Sequence, residues 1–254
     1  MPKIRIIPKL EIKGLNVIKG MRMEGLRVVG LPEEFSKKYY LDSADEILFI
    51  DTVASLYGRN NLQGLVSKVS ESIRLPLCVG GGIRSLEDGK DLLRSGADKV
   101  SINTQAIKTP NIITSLAKSF GSQSVVVSIQ AKRKNNNSWD AYYNNGRENT
   151  NLDLLDWVKE VVERGAGEIL LTSIDQDGTK LGPDFELVDK IINLVDIPII
   201  ISGGIKNLND ILELVKLGVN AIAIANILHF NQTTISDLKK ELIKNNVDTR
   251  LALF

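Results

Sequence analysis

The chain has 254 residues, 43% of them apolar and 25% charged, which suits one soluble (β/α)₈ barrel or two smaller domains. The 32 Lys and Arg residues balance 31 Asp and Glu residues, and a net charge of +1 provides no field for gathering nucleic acid or an anionic membrane. A single cysteine excludes an internal disulfide, and without a recognisable secretory leader or a membrane-length apolar run we expect a cytoplasmic protein.

Short β-branched runs alternate with amphipathic stretches along the whole chain. The predicted strands lie near 4–10, 46–51, 76–80, 98–102, 124–130, 167–172, 197–201 and 220–225. The predicted helices lie near 32–42, 61–74, 85–95, 105–119, 151–164, 184–195, 207–217 and 233–245. The expected N-caps are Ser85, Asn151 and Asn207, and the glycines expected after last helical turns are Gly96, Gly165 and Gly218. Alternating strands and helices predict a parallel sheet with crossover helices.

An internal repeat organises these units. Residues 75–103 align without a gap on residues 197–225, and residues 44–51 align on 166–173 at the same offset of 122. Two matching halves of four units close naturally into one barrel. We therefore predict a single domain, residues 1–254, folded as a (β/α)₈ TIM barrel from two duplicated (β/α)₄ half-barrels.

Two segments break the regular spacing, 14–31 after the first strand and 131–150 after the fifth. Both follow carboxyl ends of strands, which places them on the catalytic face of a barrel, where long loops serve as lids. An Asn-Asn-Gly turn after Tyr143 predicts a small hairpin in the second segment. The alternative is a disordered, Asn-rich insertion.

Paired glycines end the third and seventh strands, Gly81 and Gly82 in one half and Gly203 and Gly204 in the other, each followed by a helix. Backbone N–H groups at such a turn approach a phosphate closely, and the helix N-terminus favours negative charge. The next strand ends add Ser101, Asn103 and Thr104 to the first cradle, and Ala225 and Asn226 to the second. Two cradles across one mouth predict a ligand with a phosphate at each end; the alternative is tight turns that need glycine.

Several sequence runs resemble the cyclase subunit of imidazole glycerol phosphate synthase along nearly the whole chain. They are RIIPKLEIK, VGGGIRSLED, GADKVSIN, AKRK with a following Trp, GAGEILLTSIDQDGTK and ISGGI. The resemblance implies a barrel of the ribulose-phosphate-binding type. The binding positions that match the family are Lys19, Asp51, Asn103, Thr172, Asp177 and Ser202, with Gly178 in the same loop as Asp177.

The resemblance also implies a reaction and a partner. A separate glutaminase subunit, forming a heterodimer, supplies ammonia that crosses the barrel to a ribulosyl aminoimidazole carboxamide bisphosphate. The products are imidazole glycerol phosphate and an aminoimidazole carboxamide ribotide. We expect no cofactor and no metal. The chain itself cannot form a glutaminase, because a cysteine nucleophile needs an orienting base, and we interpret Cys78 and His229 as core or structural residues.

In this family a ring of charges forms the ammonia entrance, and the matching residues are Arg5, Glu46, Lys99 and Glu168, with Asp98 beside them at the partner interface. Alternation along strands supports three of the four, because each shares a face with polar residues expected at the mouth. Glu46 does not share parity with Asp51, so alternation supports it least. The alternative is exposed charges at strand starts.

The chain departs from the family where the chemistry is expected. Glu11 and Gln130 occupy the positions of the family's two catalytic aspartates, Lys9 replaces a small neutral residue, and Asn226 stands where serine is common. An amide cannot titrate, and the Glu11 carboxylate sits one methylene further out.

Three hypotheses remain. The favoured one is a paralogue that passes ammonia to another acceptor or a third protein, a role the resemblance connects loosely to bacterial surface-sugar amidination. The others are a working histidine-pathway cyclase that relies on Glu11, and a non-catalytic barrel that scaffolds or activates its glutaminase.

Overall fold

Parallel strand pairing builds the framework of the protein, for which a computed structural model describes residues 3–54 and 62–250. Its strands are β1 (Arg5–Lys13), β2 (Asn16–Met21), β3 (Glu24–Gly30), β4 (Ile47–Asp51), β5 (Leu77–Gly80), β6 (Lys99–Ile102), β7 (Val125–Asn135), β8 (Ser138–Tyr143), β9 (Glu148–Asp153), β10 (Glu168–Ser173), β11 (Ile199–Ser202) and β12 (Ala221–Ile224). Parallel pairs run in the order β1, β4, β5, β6, β7, β10, β11, β12, and β12 pairs again with β1. The closed eight-stranded barrel confirms the predicted (β/α)₈ fold.

Helices cover the outside of the barrel between consecutive strands. Those in the described residues are α1 (Pro32–Leu41), α2 (Gln63–Ser72), α3 (Leu86–Arg94), α4 (Thr104–Lys108), α5 (Asn111–Phe120), α6 (Leu154–Glu163), α7 (Phe185–Ile192), α8 (Leu208–Lys216), α9 (Asn226–His229) and α10 (Ile235–Lys244). The helix predicted over 61–74 starts at a residue outside the described ranges, and α2 occupies 63–72 of it.

The starts of α3 and α8 repeat one another in atomic detail. Ser85 caps α3 by accepting from the N–H of Asp88, and Asn207 caps α8 by accepting from the N–H of Asp210. Each aspartate also accepts from the backbone N–H that precedes its cap, at 2.9 Å in the first half and 2.8 Å in the second. Both predicted caps are confirmed, and the sequence repeat is also a structural repeat.

Two helix predictions were wrong at their boundaries. Asn151 does not cap α6; it lies in β9, and Asp153 accepts from the N–H groups of Leu155 and Asp156 instead. The helix predicted over 105–119 is broken into α4 and α5, because Pro110 has no N–H to continue α4.

Both irregular segments are ordered as antiparallel strands rather than loops. Strands β2 and β3 form a hairpin on the carboxyl end of β1, and β8 and β9 extend the sheet from β7. The predicted hairpin after Tyr143 is confirmed, with its turn at Asn144, Asn145 and Gly146, which have φ of 52°, 58° and 74°. Asn and Gly tolerate this left-handed backbone better than other residues.

Alternation along the strands divides the core in two. The larger cluster packs between strands and helices, whereas a smaller one fills the barrel interior: Ile7, Leu48, Cys78, Val126, Leu170, Ile200, Ala221 and Ala223. Residues two positions away from these members face the same interior. The barrel interior is therefore apolar halfway along the strands, and its charged side chains lie at the two ends of the strands.

Cys78 and His229 are both buried, in line with a structural role. The His229 ring contacts the Tyr39 hydroxyl through Nδ1 at 2.6 Å and packs edge-on against Phe35. Burial lowers the pKa of His229 to about 4 and raises that of the Cys78 thiol. At neutral pH, the imidazole is therefore uncharged.

We expect the protein to lose stability when the pH falls from 7 to 5. Because the folded pKa of His229 lies below its ordinary value of 6.5, the unfolded chain binds the extra proton in this window, at a cost of about 2 kcal/mol. His229 is the only histidine of the chain, so His229→Gln should flatten the dependence. Urea unfolding at both pH values measures it; equal slopes for the two proteins would contradict the assignment.

None of the described helices combines the length and the apolar character needed to cross a membrane.

Candidate active site at the mouth of the barrel

Four charged side chains close the amino-terminal end of the barrel in a ring, called here the charged ring: Arg5, Glu46, Lys99 and Glu168. Glu46 accepts from Arg5 at 2.9 Å and from Lys99 at 2.9 Å, and Glu168 accepts from Lys99 at 2.8 Å and from Arg5. Each carboxylate thus bridges two cations. The side chains of both carboxylates are buried, at 3% and 6% exposure, so the pairing offsets the cost of desolvating them.

Glu46, the ring residue that strand alternation in the sequence supported least, is fully part of the charged ring. Glu46 shares the inner face with Leu48 and Ile50, whereas Asp51 ends the strand and caps the following loop through the N–H groups of Val53 and Ala54. Parity with Asp51 was therefore the wrong test. Asp98 lies outside the ring, exposed, and accepts from the N–H of Leu77 at 2.8 Å.

The opposite end of the barrel has a cavity of about 120 Å³ at the first predicted cradle. The five residues predicted for this cradle line the cavity: Gly81, Gly82, Ser101, Asn103 and Thr104. Asp51, a binding position that matches the family, lines it as well. The Ser101 hydroxyl is buried and has no hydrogen-bond partner among the described residues. A polar group left this way calls for a ligand or water.

A smaller cavity of about 20 Å³ lies at the second cradle. The four residues predicted for this cradle line it: Gly203, Gly204, Ala225 and Asn226. Four further predicted binding residues also line it: Lys19, Asp177, Gly178 and Ser202. The Asn226 amide donates to the carbonyl of Gly178 at 3.1 Å, which ties the ends of two strands together. Of the predicted binding residues, Thr172 lines neither cavity; it is buried on β10 beside Gln130 and Ser202.

The glycine pairs have matching left-handed backbones. Gly81 and Gly203 have φ of 104° and 107°, and Gly82 and Gly204 have φ of 75° and 86°. A Cβ on Gly81 would lie 2.4 Å from the Asp51 carbonyl, so the turn also needs glycine for space. Gly81 and Gly203 directly follow strand residues that pair with β6 and β12. The N–H groups of Gly82 and Gly204 take part in none of the backbone hydrogen bonds of the described turns and loops, and they are available to a ligand.

A buried chain of charges extends from the second cradle, called here the mouth network: Lys9, Glu11, Lys19 and Asp177. Glu11 accepts from Lys19 at 2.8 Å and lies 3.1 Å from the ammonium of Lys9, while Lys19 also contacts Asp177 at 3.1 Å. Burial alone would raise the pKa of Glu11, but the charges of Lys19 and Lys9 lower it to about 2. Glu11 lines neither of the two cavities.

Gln130 lines the first cavity, but its carbonyl oxygen is already used. It accepts from the N–H of Gly146 at 2.8 Å, which fixes the β8–β9 turn over the mouth. The Asn145 amide of that turn reaches the Met23 carbonyl at 3.5 Å, so the turn meets the tip of the β2–β3 hairpin. The two hairpins together cover the mouth.

The cationic or polar cavity residues that sequence reasoning missed include Lys108, Asn145 and Lys180. Lys108 was hidden because the sequence predicts one helix through 105–119, and only Pro110 signals the early end of α4. Asn145 was assigned to a hairpin, but its position over the mouth depends on tertiary packing. Lys180 belongs to the SIDQDGTK run and could have been included from it.

Proteins of known family resemble this chain along most of its length. Residues 5–234 match a family model described as histidine biosynthesis protein. An imidazole glycerol phosphate synthase subunit HisF from Legionella pneumophila is 53% identical over 210 residues, which is 83% of this chain and 99% of the relative. HisF subunits from Wolinella succinogenes and Dictyoglomus thermophilum are 48% and 44% identical, each over 97% of this chain and 98% of the relative.

The chain belongs to the HisF family. As a member of this family, it is a cyclase-type enzyme subunit related to histidine biosynthesis, as the sequence motifs predicted. Within the described residues, no group of three or more His, Cys, Asp or Glu side chains is arranged to hold a metal ion.

Proposed function

We propose that this HisF-family barrel receives ammonia from a glutaminase subunit at the charged ring and delivers it at the mouth, to an acceptor other than the histidine intermediate. A ligand with two phosphate groups, or a third protein that presents one, would occupy the cradles. The barrel's own cyclase chemistry is weak in this proposal, because its two mouth residues have lost the acid–base roles of the family.

The state of Glu11 and Gln130 carries the proposal. Glu11 is held ionised between two lysines, with a pKa of about 2, and cannot exchange protons near neutral pH. Gln130 never titrates, and its oxygen holds Gly146. The charged ring and both cradles are complete, so the features needed for ammonia and phosphate are retained while proton transfer is not.

We expect crystals soaked in phosphate to show one anion at each cradle, held by the N–H groups of the glycine pairs. Gly81→Ala should remove only the first anion and Gly204→Ala only the second, since each added Cβ would lie within 2.4 Å or 2.1 Å of a carbonyl oxygen. Phosphate titration by NMR should show at least a tenfold loss at the altered cradle, equivalent to about 1.4 kcal/mol.

Gly14→Ala is the matched control for both variants. Gly14 also has a left-handed backbone, with φ of 62°, but a Cβ there meets nothing within 4 Å. It should therefore show the general strain of alanine in this conformation and leave both anions in place. Empty cradles in the unmodified protein would contradict the phosphate assignment.

The second test concerns the partner. We expect a glutaminase encoded in the same genome to co-purify with the barrel and to bind at the end that carries the charged ring. Lys99→Ala breaks two of the four ring contacts, and Asp98→Ala removes an exposed carboxylate beside it, so each should reduce glutamine-dependent ammonia transfer about tenfold or more. Lys216→Ala, which removes an exposed ion pair on α8, is the control. A barrel that binds none of the genome's glutaminases would contradict the proposal.

The names of the relatives favour a second candidate, a working histidine-pathway cyclase. They are imidazole glycerol phosphate synthase subunits at 44% to 53% identity. In that case Glu11 would have to leave at least one of its lysine partners when substrate binds. Turnover of the histidine intermediate separates the two candidates.

A further inference from the structure

The mouth network divides into an accessible part and an enclosed part. Lys19 and Asp177 line the second cavity, whereas Lys9 and Glu11 line neither cavity. All four side chains are nevertheless buried, at 3% to 6% exposure. A ligand in the second cradle therefore reaches the network only through Lys19 and Asp177.

A phosphate in the second cradle competes for the Lys19 ammonium. Lys19 is shared between Glu11 at 2.8 Å and Asp177 at 3.1 Å, and a doubly charged anion is a stronger partner than either. When Lys19 turns toward the phosphate, Lys9 is the one cation of the described residues that stays within ion-pair distance of Glu11. A buried carboxylate without a cation would take up a proton instead.

The other groups around Glu11 do not replace that cation. Lys9 stands on the inner face of β1, two residues above Ile7 of the apolar interior cluster. His229, on α9, influences Glu11 but is uncharged at neutral pH, since burial lowers its pKa to about 4. Asp177 carries the same sign of charge as Glu11 and reaches it through Lys19.

We infer that Lys9 holds Glu11 ionised when Lys19 turns to a bound phosphate, and thereby determines that the barrel delivers ammonia without proton transfer at Glu11. Lys9 is a positioning residue in this role, because it acts through Glu11 and touches no ligand. The inference rests on the proposed function. It explains why a lysine at position 9 and a glutamate at position 11 occur together. Both side chains are buried, and each charge neutralises the other.

The test is a pH titration of the Glu11 carboxyl group in the isolated barrel, monitored by ¹³C NMR with and without inorganic phosphate. Glu11→Gln identifies the resonance. In the unmodified protein we expect the Glu11 pKa to stay near 2 whether or not phosphate saturates the second cradle. In Lys9→Met it should rise by at least about one unit without phosphate, and further with it. Lys9→Arg should behave like the unmodified protein, because it restores the cation.

Each outcome decides the inference. A Glu11 titration that is the same in Lys9→Met and in the unmodified protein overturns it, and so does failure of Lys9→Arg to restore the low pKa. If Lys9→Met does not fold, Lys9→Gln repeats the test, and the unmodified protein alone still decides: a rise of the Glu11 pKa to its ordinary range on phosphate binding overturns the inference. None of these measurements uses a glutaminase, so failure of the proposed ammonia transfer is seen separately.

Discussion

With saturating ammonium in place of a partner, the unmodified protein is expected to convert the ribulosyl aminoimidazole carboxamide bisphosphate about 10²–10⁴-fold more slowly than an ordinary HisF subunit. General acid–base help is worth this much, and in the proposed function neither mouth residue supplies it. Glu11 stays ionised with a pKa of about 2, and Gln130 is an amide bonded to Gly146. Binding of the bisphosphate should persist because both cradles are complete, so the loss should fall on turnover rather than affinity.

Restoring the family residues provides the matched comparison. Glu11→Asp with Gln130→Asp should raise turnover if the rest of the mouth still suits this substrate, and adding Lys9→Ala should raise it further by releasing the restored carboxylate. Gln130→Asp alone returns one titratable group and should recover less. A steady-state assay with ammonium salts measures all four proteins. A rate for the unmodified protein within about tenfold of an ordinary subunit would refute the ammonia-delivery proposal.

The largest effect on stability is expected from Lys19→Met. Among residues 3–54 and 62–250, this change leaves Glu11 with one paired cation and Asp177 with none, in a network whose side chains are at most 6% exposed. Breaking a buried ion pair by removing one partner typically costs about 3–5 kcal/mol, since the other charge stays buried without compensation. Urea unfolding at pH 7 measures the change in the free energy of unfolding.

Two further measurements test the electrostatic origin of that loss. Lys68→Met removes an ion pair with Glu33 in which the lysine side chain is 70% exposed, and it should cost at most about 1 kcal/mol. Lowering the pH toward 4.5 should shrink the penalty of Lys19→Met, because the stranded carboxylates can then be protonated. A penalty that is the same at both pH values would point to lost packing instead.

Local patterns in the sequence were enough to predict the barrel, its duplication and most of the cradle residues. The repeat of glycines, caps and strand spacing is encoded within short segments, so Ser85 and Asn207 are recognisable from their neighbours. The same holds for the hairpin turn at Asn145 and Gly146, where only a few residue types tolerate the backbone.

What the sequence did not reveal depends on contacts between distant segments. The hydrogen bond between Gln130 and Gly146 joins a barrel strand to a hairpin turn. The hydrogen bond between Asn145 and Met23 joins two hairpins through residues 122 positions apart. No local pattern encodes such contacts. Lys9 is unusual for its position in the sequence, but its pairing with Glu11 follows only from the three-dimensional structure.

The charges inside the barrel are distributed unequally between its two halves. Glu46 and Glu168 occupy equivalent positions in the repeat, but Lys99 is matched by Ala221, and Arg5 also belongs to the first half. At the charged ring the first half thus contributes two cations and one anion, and the second half one anion. The mouth network is divided in the same way, with Asp177 alone from the second half.

Two copies of the first half would therefore bury a surplus of two cations at each level, and two copies of the second half a surplus of anions. Only one half of each kind gives neutrality. Although the sequence repeat would allow either half to pair with itself, we expect the interior charges to favour assembly of separately made halves with each other.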